Sequence, residues 1–230
     1  MAPRTIQTYL AALGYELDVD GDIGPATKAA IKAFQRFAGL DADGIVGPLT
    51  SAALRTQLEA HAAAMMEVQD WIHTPDSYGV CLAYILGLWE DAGARETEGP
   101  NRGAWIRAIT RRAGDPGEGR PWCGLALMAA DALVREWTGR ATPGDLWSPS
   151  VDIIVTRAKA AGRFVVGAAI AQPGDAVVTR NPEKAGDWTH VAIVAERTPT
   201  GLKVVSGNSG DRVRTVGRTT VGLDTIRLGA

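Results

Sequence analysis

The chain has 230 residues, of which 46% are hydrophobic and 22% are charged. This length and composition are typical of a globular protein with one large or two smaller domains. The formal net charge of -2 argues against nucleic acid as the principal partner. Two cysteines are too few for a disulfide framework, and three widely separated histidines lack the paired spacing of a metal site, so we expect no metal and no cofactor.

The N-terminal segment is amphipathic and lacks the continuous apolar core of a signal peptide. No other stretch is apolar for long enough to cross a bilayer, so we expect no membrane insertion. The sequence therefore predicts synthesis in the cytoplasm. A target outside the cell would be reached only after another factor releases the protein.

An internal repeat marks the first fifty residues. The motif Gly-x-x-Gly-Pro-x-Thr begins at Gly21 and again at Gly44, an offset of 23 residues (44 - 21). In each copy an Asp-Gly turn leads into a Gly-Pro helix start, because proline at the first helical position has a suitable φ and needs no N–H donor. Asp18, Asp20 and Asp22 lack the glycine and the distal glutamate of an EF-hand loop, so we interpret them as turn residues rather than Ca²⁺ ligands.

Apolar residues at helical spacing predict three helices around these turns. The first is centred on Leu10, the second covers 26–38 with Phe37 on its apolar side, and the third begins at Leu49. The fold class predicted for this region is an all-α three-helix bundle over 1–60.

Beyond the bundle, the sequence predicts a helical linker and then a second domain. The linker covers 61–77 and ends in a helix breaker that begins at His73, because a residue that precedes proline disfavours the helical conformation. The second domain is assigned to 78–230. His61 and His73 are interpreted as surface histidines.

The segment from residue 4 to about residue 56 resembles the peptidoglycan-binding type 1 domain. The resemblance rests on the two turns and on the helix AIKAFQRFAGL between them. It implies a non-catalytic module that holds bacterial cell wall, so peptidoglycan is the expected partner. We expect the chain to be a monomer.

The second domain changes from helical to strand-like patterns along the chain. Helices are predicted first, and short β-branched runs separated by turn signals follow from Phe164 onward. Helices followed by an antiparallel sheet predict an α+β domain. The predicted helices cover 79–92, 102–113, 123–134 and 150–161, and the predicted strands cover 176–179, 189–196, 202–206, 212–216 and 223–228.

Cys123 stands at the start of the most apolar of these helices. Asp131 is the only charge between Cys123 and Arg135, so the helix is expected to be buried. At its first turn the unpaired N–H groups and the helix dipole favour thiolate, which predicts a lowered pKa and a nucleophile. A buried structural cysteine is the alternative. Cys81 lies mid-helix among apolar residues and is interpreted as core.

His190 and Asn208 lie on two strands that the sequence predicts to be a hairpin. A five-residue turn centred on Pro199 would pair positions whose numbers sum to 398, so that Glu196 faces Leu202 and His190 faces Asn208 (190 + 208 = 398). Opposed side chains share a face, which would place the carboxamide within reach of the ring. A Cys-His-Asn arrangement follows, with His190 as the base.

The alternatives for each of these residues stay open in the sequence. His190 can be a strand-end histidine whose ring nitrogens form hydrogen bonds with nearby groups, and Asn208 can be a turn residue. Asp175, Asp187 and Asp211 are further candidates for orienting the ring.

Residues 80 to 225 resemble the CHAP family of cysteine, histidine-dependent amidohydrolases and peptidases. The resemblance rests on RPWCGLALMAAD, QPGDAVVT, WTHVAIVAE and SGNSGD, in that order. It implies a papain-like α+β fold with an antiparallel sheet and the cleavage of amide bonds in peptidoglycan. By motif, Cys123 would be the nucleophile, His190 the base and Asn208 the residue that orients it.

The residues beside the nucleophile and the base carry further expectations. Gly124 replaces the alanine that is more usual in the family and is expected to widen the site. The backbone N–H of Cys123 is a candidate oxyanion donor at the helix start. Trp122 and Trp188 flank the two predicted catalytic positions, where they either line the substrate groove or pack in the core.

Three functions are consistent with the sequence. The first is a peptidoglycan hydrolase of the phage-endolysin type, either an N-acetylmuramoyl-L-alanine amidase or a stem or cross-bridge endopeptidase. The second is a non-catalytic cell-wall-binding component, such as part of a phage tail. The third is a cysteine protease or deamidase that acts on protein.

Overall fold

The computed structural model describes residues 1–67, 77–139 and 143–229. Helices occupy the first two thirds of these ranges, and strands the last third. The helices are α1 (Pro3–Ala12), α2 (Pro25–Phe37), α3 (Pro48–Ala64), α4 (Tyr78–Asp91), α5 (Ala104–Arg112), α6 (Cys123–Thr138) and α7 (Val151–Ala160). The strands are β1 (Phe164–Val165), β2 (Ala176–Arg180), β3 (Trp188–Thr198), β4 (Gly201–Ser206), β5 (Arg214–Arg218) and β6 (Leu223–Ile226).

The sequence repeat corresponds to two copies of one hydrogen-bonded turn. In the first copy, the buried side chain of Gln7 donates to Asp20 Oδ1 at 2.6 Å and accepts from the backbone N–H of Gly21. In the second, Gln35 donates to Asp43 Oδ1 at 2.7 Å and accepts from the N–H of Gly44. Each glutamine thus ties a helix to the turn that starts the following helix.

The three-helix bundle is present as predicted, but one apolar residue of its second helix faces outward. Phe37, the last residue of α2, is 66% exposed. It was expected on the apolar side of the helix with Ile31 and Phe34, which are both buried. The buried face of α2 is centred on Thr27, Ile31 and Phe34, and at 100° per residue Phe37 lies at the edge of this face.

The bundle packs against the rest of the chain in one continuous hydrophobic core. Helix α3 lies against α5, and polar contacts surround this interface. Arg107 of α5 forms ion pairs with Glu59 of α3 and with Glu98, while the Tyr9 hydroxyl donates to Glu98 at 3.0 Å. The hydrogen bonds from Arg107 to Glu98 and Glu59, together with the charges of these carboxylates, raise the pKa of the guanidinium above its ordinary value. The same hydrogen bonds lower the pKa of Glu98.

The predicted linker is only partly within the described residues. Helix α3 continues to Ala64, and a turn follows as far as Glu67. His61 lies in this helix, where its Nε2 is 2.9 Å from the carbonyl oxygen of Ala92, so it is part of the interface with the second half of the chain. The predicted helix breaker covers 73–77, and its residues 73–76 lie outside the described residues.

The second half of the chain has the predicted α+β architecture. Its strands form one six-stranded antiparallel sheet in the order β1-β6-β2-β3-β4-β5. Helices α4, α6 and α7 contact β3. Strand β5 is displaced from the predicted 212–216 to Arg214–Arg218.

The two faces of the sheet pack into separate cores because side chains alternate along each strand. Val178, Val191 and Ile193 join the main core with α4 and α6. Ala192 and Val204 point to the opposite face and belong to a smaller cluster. Neighbouring residues in this part of β3 therefore lie on opposite faces of the sheet. Within the described residues, no helix is both long and apolar enough to cross a membrane.

Candidate functional site

Cys123 is the first residue of α6, as the sequence predicts, and it is 3% exposed. Helix α6 is almost entirely buried on its first three turns, so the helix start is held firmly under β3 and β4. The backbone N–H of Val191 points toward the Cys123 thiol, as do the N–H groups of Gly124 and Cys123 itself. The sulfur therefore lies against β3 at the residue that follows His190.

The ionisation of Cys123 differs from the sequence-based expectation. Burial raises the pKa of the thiol above its ordinary value, and the three nearby backbone N–H groups oppose this effect only in part. Removing the sulfur from water disfavours the charged form more than the helix start favours it. The resting side chain is therefore a neutral thiol at neutral pH, and the predicted thiolate is wrong for this state.

His190 lies on β3 with its ring on the sheet face that carries Ala192 and Val204. Its Nε2 forms a hydrogen bond of 2.9 Å with Ser206 Oγ. Burial and, to a smaller extent, the positive charge of Arg218 together lower the pKa of His190 to about 4. The ring is neutral at pH 7, which is the protonation state of a base.

The hairpin that carries His190 is not paired as predicted near its turn. The turn has two residues between Thr198 and Gly201, so Leu202 faces Arg197 and not Glu196. The pairing shifts by one residue between Val194 and Glu196. Beyond this shift the residue numbers of paired positions sum to 398 as predicted, as in the pair of Ile193 with Val205. The local prediction fails because the extra residue of a β-bulge cannot be read from turn composition.

Asn208 does not orient the ring of His190. Strand β4 ends at Ser206, and Asn208 adopts a left-handed backbone conformation with φ of 54°. Its Nδ2 donates to Asn101 Oδ1 at 3.0 Å. Ser206, two residues earlier and on the same face, is the diagonal neighbour of position 190 and is close enough for the ring to reach.

The three non-glycine residues with positive φ among the described residues surround this region. They are Asn101, Asn208 and Asp211. Asn101 and Asn208 are hydrogen-bonded to each other, and the carbonyl oxygen of Asp211 accepts from the N–H of Glu96. Asparagine and aspartate adopt the left-handed conformation more readily than other non-glycine residues, so these positions are consistent with ordinary turns.

Trp122 is a core residue and does not line a groove. Its side chain is 0% exposed, and its Nε1 donates to Glu96 Oε1 at 3.0 Å. A Cβ atom built on Gly207 would lie 2.6 Å from the Trp122 ring and 2.6 Å from the Cβ of Ala126. The segment that follows β4 is thus packed directly on α6. Trp122 fixes this packing beside Cys123, and the core alternative of the sequence analysis is the correct one.

Trp188 is half-buried and lies at a different corner of the sheet. Its ring contacts Phe164 edge to face with centroids 5.7 Å apart, and Lys159 Nζ lies 4.5 Å from its centroid. Its Nε1 donates to Asp224 Oδ2 and its backbone N–H to Asp152. These contacts belong to α7, β1 and β6, so Trp188 packs that corner rather than the region around Cys123.

Gly124 does not widen the site. A Cβ atom at this position would lie 2.2 Å from the carbonyl oxygen of Ser148, which is closer than atoms can approach. The glycine lets the backbone at 148 and 149 lie directly on the first turn of α6. The expectation from the family pattern fails because it considered only the volume of the side chain.

Two of the three acidic candidates for orienting the ring have other partners. Asp175 accepts from the N–H of Gln172, and Asp187 pairs with Lys184 and Asn181. In the described part of the chain, no group of three or more histidine, cysteine or acidic side chains is placed to hold a metal ion.

The comparisons with known proteins concern the N-terminal helices. Residues 2–54 match the family model for a putative peptidoglycan binding domain. These residues form α1, α2 and the start of α3. The match supports peptidoglycan as a partner of this chain. The searches of curated proteins and of solved structures gave no match.

Cys123 lies against the strand that carries His190, but on the sheet face opposite the ring, so the structure does not bring the two side chains together. The partner of the ring is Ser206. Within the described residues, no hydrogen bond joins the sulfur to the ring or the ring to Asn208. Sequence reasoning missed Ser206. Strand alternation places Ser206 on the same face as Val204 and His190. A serine at the end of a strand is common, however, so the residue type alone did not indicate a role.

Proposed function

We propose that this chain is a peptidoglycan hydrolase of the endolysin type. In this proposal the N-terminal domain holds the cell wall, and Cys123 and His190 cleave an amide bond in it. The observation that carries the proposal is the position of Cys123, whose sulfur lies at the start of a buried helix beside the residue that follows His190. The peptidoglycan-binding match supports the wall as the substrate.

Both groups are neutral in the resting protein. The pKa of Cys123 is raised by burial, and that of His190 is lowered to about 4, mainly by burial. The proton must therefore leave the sulfur as the sulfur attacks, which is general base catalysis rather than attack by a preformed thiolate. The ring of His190 lies on the sheet face opposite α6, so in this scheme the start of β3 must first turn the ring toward the sulfur. The ring then accepts the proton on Nδ1, the nitrogen that Ser206 does not engage in the resting protein.

The reaction then follows two steps. In the first, Cys123 Sγ forms a bond to the carbonyl carbon of the amide while His190 takes the thiol proton, and the backbone N–H of Cys123 stabilises the oxyanion. The imidazolium returns the proton to the leaving amine as the carbon–nitrogen bond breaks. In the second, water attacks the thioester with His190 as base, and the thiol and a carboxylic acid product are released.

Ser206, and not Asn208, is the residue that holds the ring of His190 in the resting protein. When Nε2 carries the ring proton, it donates to Ser206 Oγ, and Nδ1 is left as the acceptor. Ser206 is 1% exposed, so water does not compete for this hydrogen bond. A hydroxyl carries no charge, so it fixes the tautomer but stabilises the imidazolium less than a carboxylate would.

The bond that is cut is either the amide between glycan and stem peptide or an amide of the stem or cross-bridge. Binding of the wall by the first three helices would raise the local concentration of all of these amides. Because the bundle shares a core with the second domain, it would present the substrate in a restricted orientation. We propose that the protein acts on the wall after release from the cytoplasm.

Clearing of a suspension of purified peptidoglycan tests the proposal. Wild type and Cys81→Ala are expected to clear the suspension, whereas Cys123→Ala and His190→Ala are not. Cys81 is the matched control because it is also buried and lies in the adjacent helix α4. Thermal unfolding of each variant shows whether it is folded. Clearing by folded Cys123→Ala at the wild-type rate would contradict the proposal.

One observation favours a second candidate function, a wall-binding component without activity. Cys123 is only 3% exposed and its pKa is raised, which are properties of a structural cysteine as well. Co-sedimentation with peptidoglycan without any clearing by wild type would support this function. Cleavage of proteins without cleavage of peptidoglycan would instead indicate a protein-directed protease or deamidase.

A further inference from the structure

A β-bulge lies directly before His190 on β3. His190 pairs with Thr179 of β2. The next residue of β2, Arg180, pairs with Trp188, so Thr189 is an extra residue without a partner on β2. An extra residue of this kind reverses the alternation of side chains along the strand that carries it, and bulges beside active sites change the direction of a side chain in this way.

The bulge explains why two even-numbered residues of β3 lie on opposite faces of the sheet. Paired residues share a face, and the consecutive residues Thr179 and Arg180 lie on opposite faces. Trp188 accordingly packs on the main core, on the side of α6 and α7. The His190 ring instead lines the cavity on the other side. The position of the extra residue therefore decides which face His190 occupies.

We propose that the bulge moves by one residue, from Thr189 to His190, and that this movement brings the His190 ring to the face of the sheet that α6 covers. This inference rests on the proposed function and deepens it, because it names the change that gives the base access to the sulfur. The resting structure is then the state in which the base is stored away from the nucleophile.

Only one side chain changes face in this movement. Thr189 takes the paired place that His190 leaves and stays on the cavity side, while Val191 keeps its pairing with β2 and stays in the core. Counting on from Trp188, alternation then places His190 on the core side. Cys123 meets β3 at the N–H of Val191. The ring therefore arrives at the part of the strand where the sulfur lies.

The movement leaves most of the sheet unchanged. The ladder between β3 and β4 begins at Ile193, so the start of β3 is free to change its pairing with β2 without disturbing the hairpin. The ring itself is held by the bond of Nε2 to Ser206, in a cavity of about 10 Å³. In the proposed reaction it leaves that bond with the proton on Nε2, so Nδ1 is the acceptor that meets the sulfur.

Disulfide trapping in the full chain tests the movement. In a Cys81→Ala background Cys123 is the native thiol that remains, and His190→Cys adds a second thiol at the moving position. Two cysteines form a disulfide only when their Cα atoms lie within about 7 Å and their Cβ atoms point toward each other. Oxidised glutathione is expected to join Cys123 to the thiol at position 190, which mass spectrometry of the digested protein detects.

Two neighbouring substitutions in the same background are the matched controls. Val191→Cys lies on the core side in both states and is expected to form the disulfide fastest. Thr189→Cys stays on the cavity side in both states and is expected to react about a hundredfold more slowly than His190→Cys. Equal rates for Thr189→Cys and His190→Cys, or no disulfide in His190→Cys while Val191→Cys reacts, overturn the proposal.

A second measurement keeps the natural ring. In Cys81→Ala, dibromoacetone alkylates the sulfur of Cys123 and then a nitrogen within reach, with loss of bromide at each step. A bridge from Cys123 to His190 supports the movement, whereas Cys123 alkylated at one end with a free ring overturns it. Neither experiment depends on hydrolysis. Clearing of peptidoglycan by wild type without either cross-link overturns this inference alone, and cross-links without clearing overturn the proposed function.

Discussion

The Nε2 atom of His190 lies 2.9 Å from the Oγ atom of Ser206, on the sheet face opposite α6. Cys123 approaches the same strand from the α6 side and meets it at the N–H of Val191. The candidate base and the candidate nucleophile thus reach β3 from different sides at neighbouring residues. This arrangement determines which residue bonds to the His190 ring, and it affects the pKa of the ring and the pKa of the Cys123 thiol. Each of these properties can be measured.

Ser206→Ala is expected to lower kcat about tenfold or more with little change in KM, because the ring loses the hydrogen bond that fixes its tautomer. Asn208→Gly keeps the left-handed backbone and is expected to change kcat less than threefold, roughly, since Asn208 does not contact the ring. Ser206→Thr should restore most of the activity. A larger loss in Asn208→Gly than in Ser206→Ala would support the pairing predicted from sequence.

The stability of the protein is expected to fall in mild acid because of His190. Its pKa in the folded protein is about 4, below the ordinary value of 6.5, so the unfolded chain binds the proton first as the pH drops. The stabilisation is complete above pH 6.5 and is lost between about 6.5 and 4, amounting to about 3 kcal/mol. Urea unfolding at several pH values should show a flatter dependence in His190→Gln.

Cys123 is expected to ionise only in strongly basic solution, because burial raises the pKa of its thiol. The ultraviolet absorbance of thiolate, measured during a pH titration of Cys81→Ala and of the same chain with Cys123→Ala, isolates this one group. The difference should appear at a higher pH than the ionisation of an ordinary thiol, whose pKa is about 8.5. A difference that is complete at neutral pH would show that the helix start outweighs burial.

Gly124→Ala is expected to destabilise the fold by about 1–3 kcal/mol, because its methyl group would collide with the Ser148 carbonyl oxygen. Gly87→Ala is the matched control. Gly87 is also a helical glycine, and a Cβ atom there meets no atom within 4 Å. The control should be neutral or gain up to about 1 kcal/mol from helix propensity. Thermal unfolding compares the two, and equal stabilities would contradict the close contact.

Arg107→Met is expected to lower the free energy of unfolding by about 1–2 kcal/mol, since it leaves Glu59, Glu98 and Glu118 close together without their common cation. Lys203→Met removes a cation from an exposed pair with Glu196 and should cost less than about 0.5 kcal/mol. Urea unfolding measures both. A cost for Arg107→Met no larger than that for Lys203→Met would show that the network does not hold the bundle to α5.

Local pattern predicted much of the fold. The repeat at Gly21 and Gly44 indicated two equivalent helix starts, and the structure shows them as two equivalent turns around Gln7 and Gln35. The absence of charge after Cys123 indicated a buried helix that begins at that residue. Such features depend on neighbours within a few positions, so a sequence contains the information needed to predict them.

Local sequence patterns were sufficient to predict the helical N-terminal region, the α+β second half, the helix start at Cys123 and the strand near His190. Contacts in the folded chain were needed to show that Ser206 rather than Asn208 bonds to the ring, that Trp122 is buried and that the Ser148 backbone lies against Gly124. Each of these depends on a bulge, a strand end or a contact between segments far apart in the chain. The thiol is likewise neutral because burial, a property of the whole fold, outweighs the local field of the helix start.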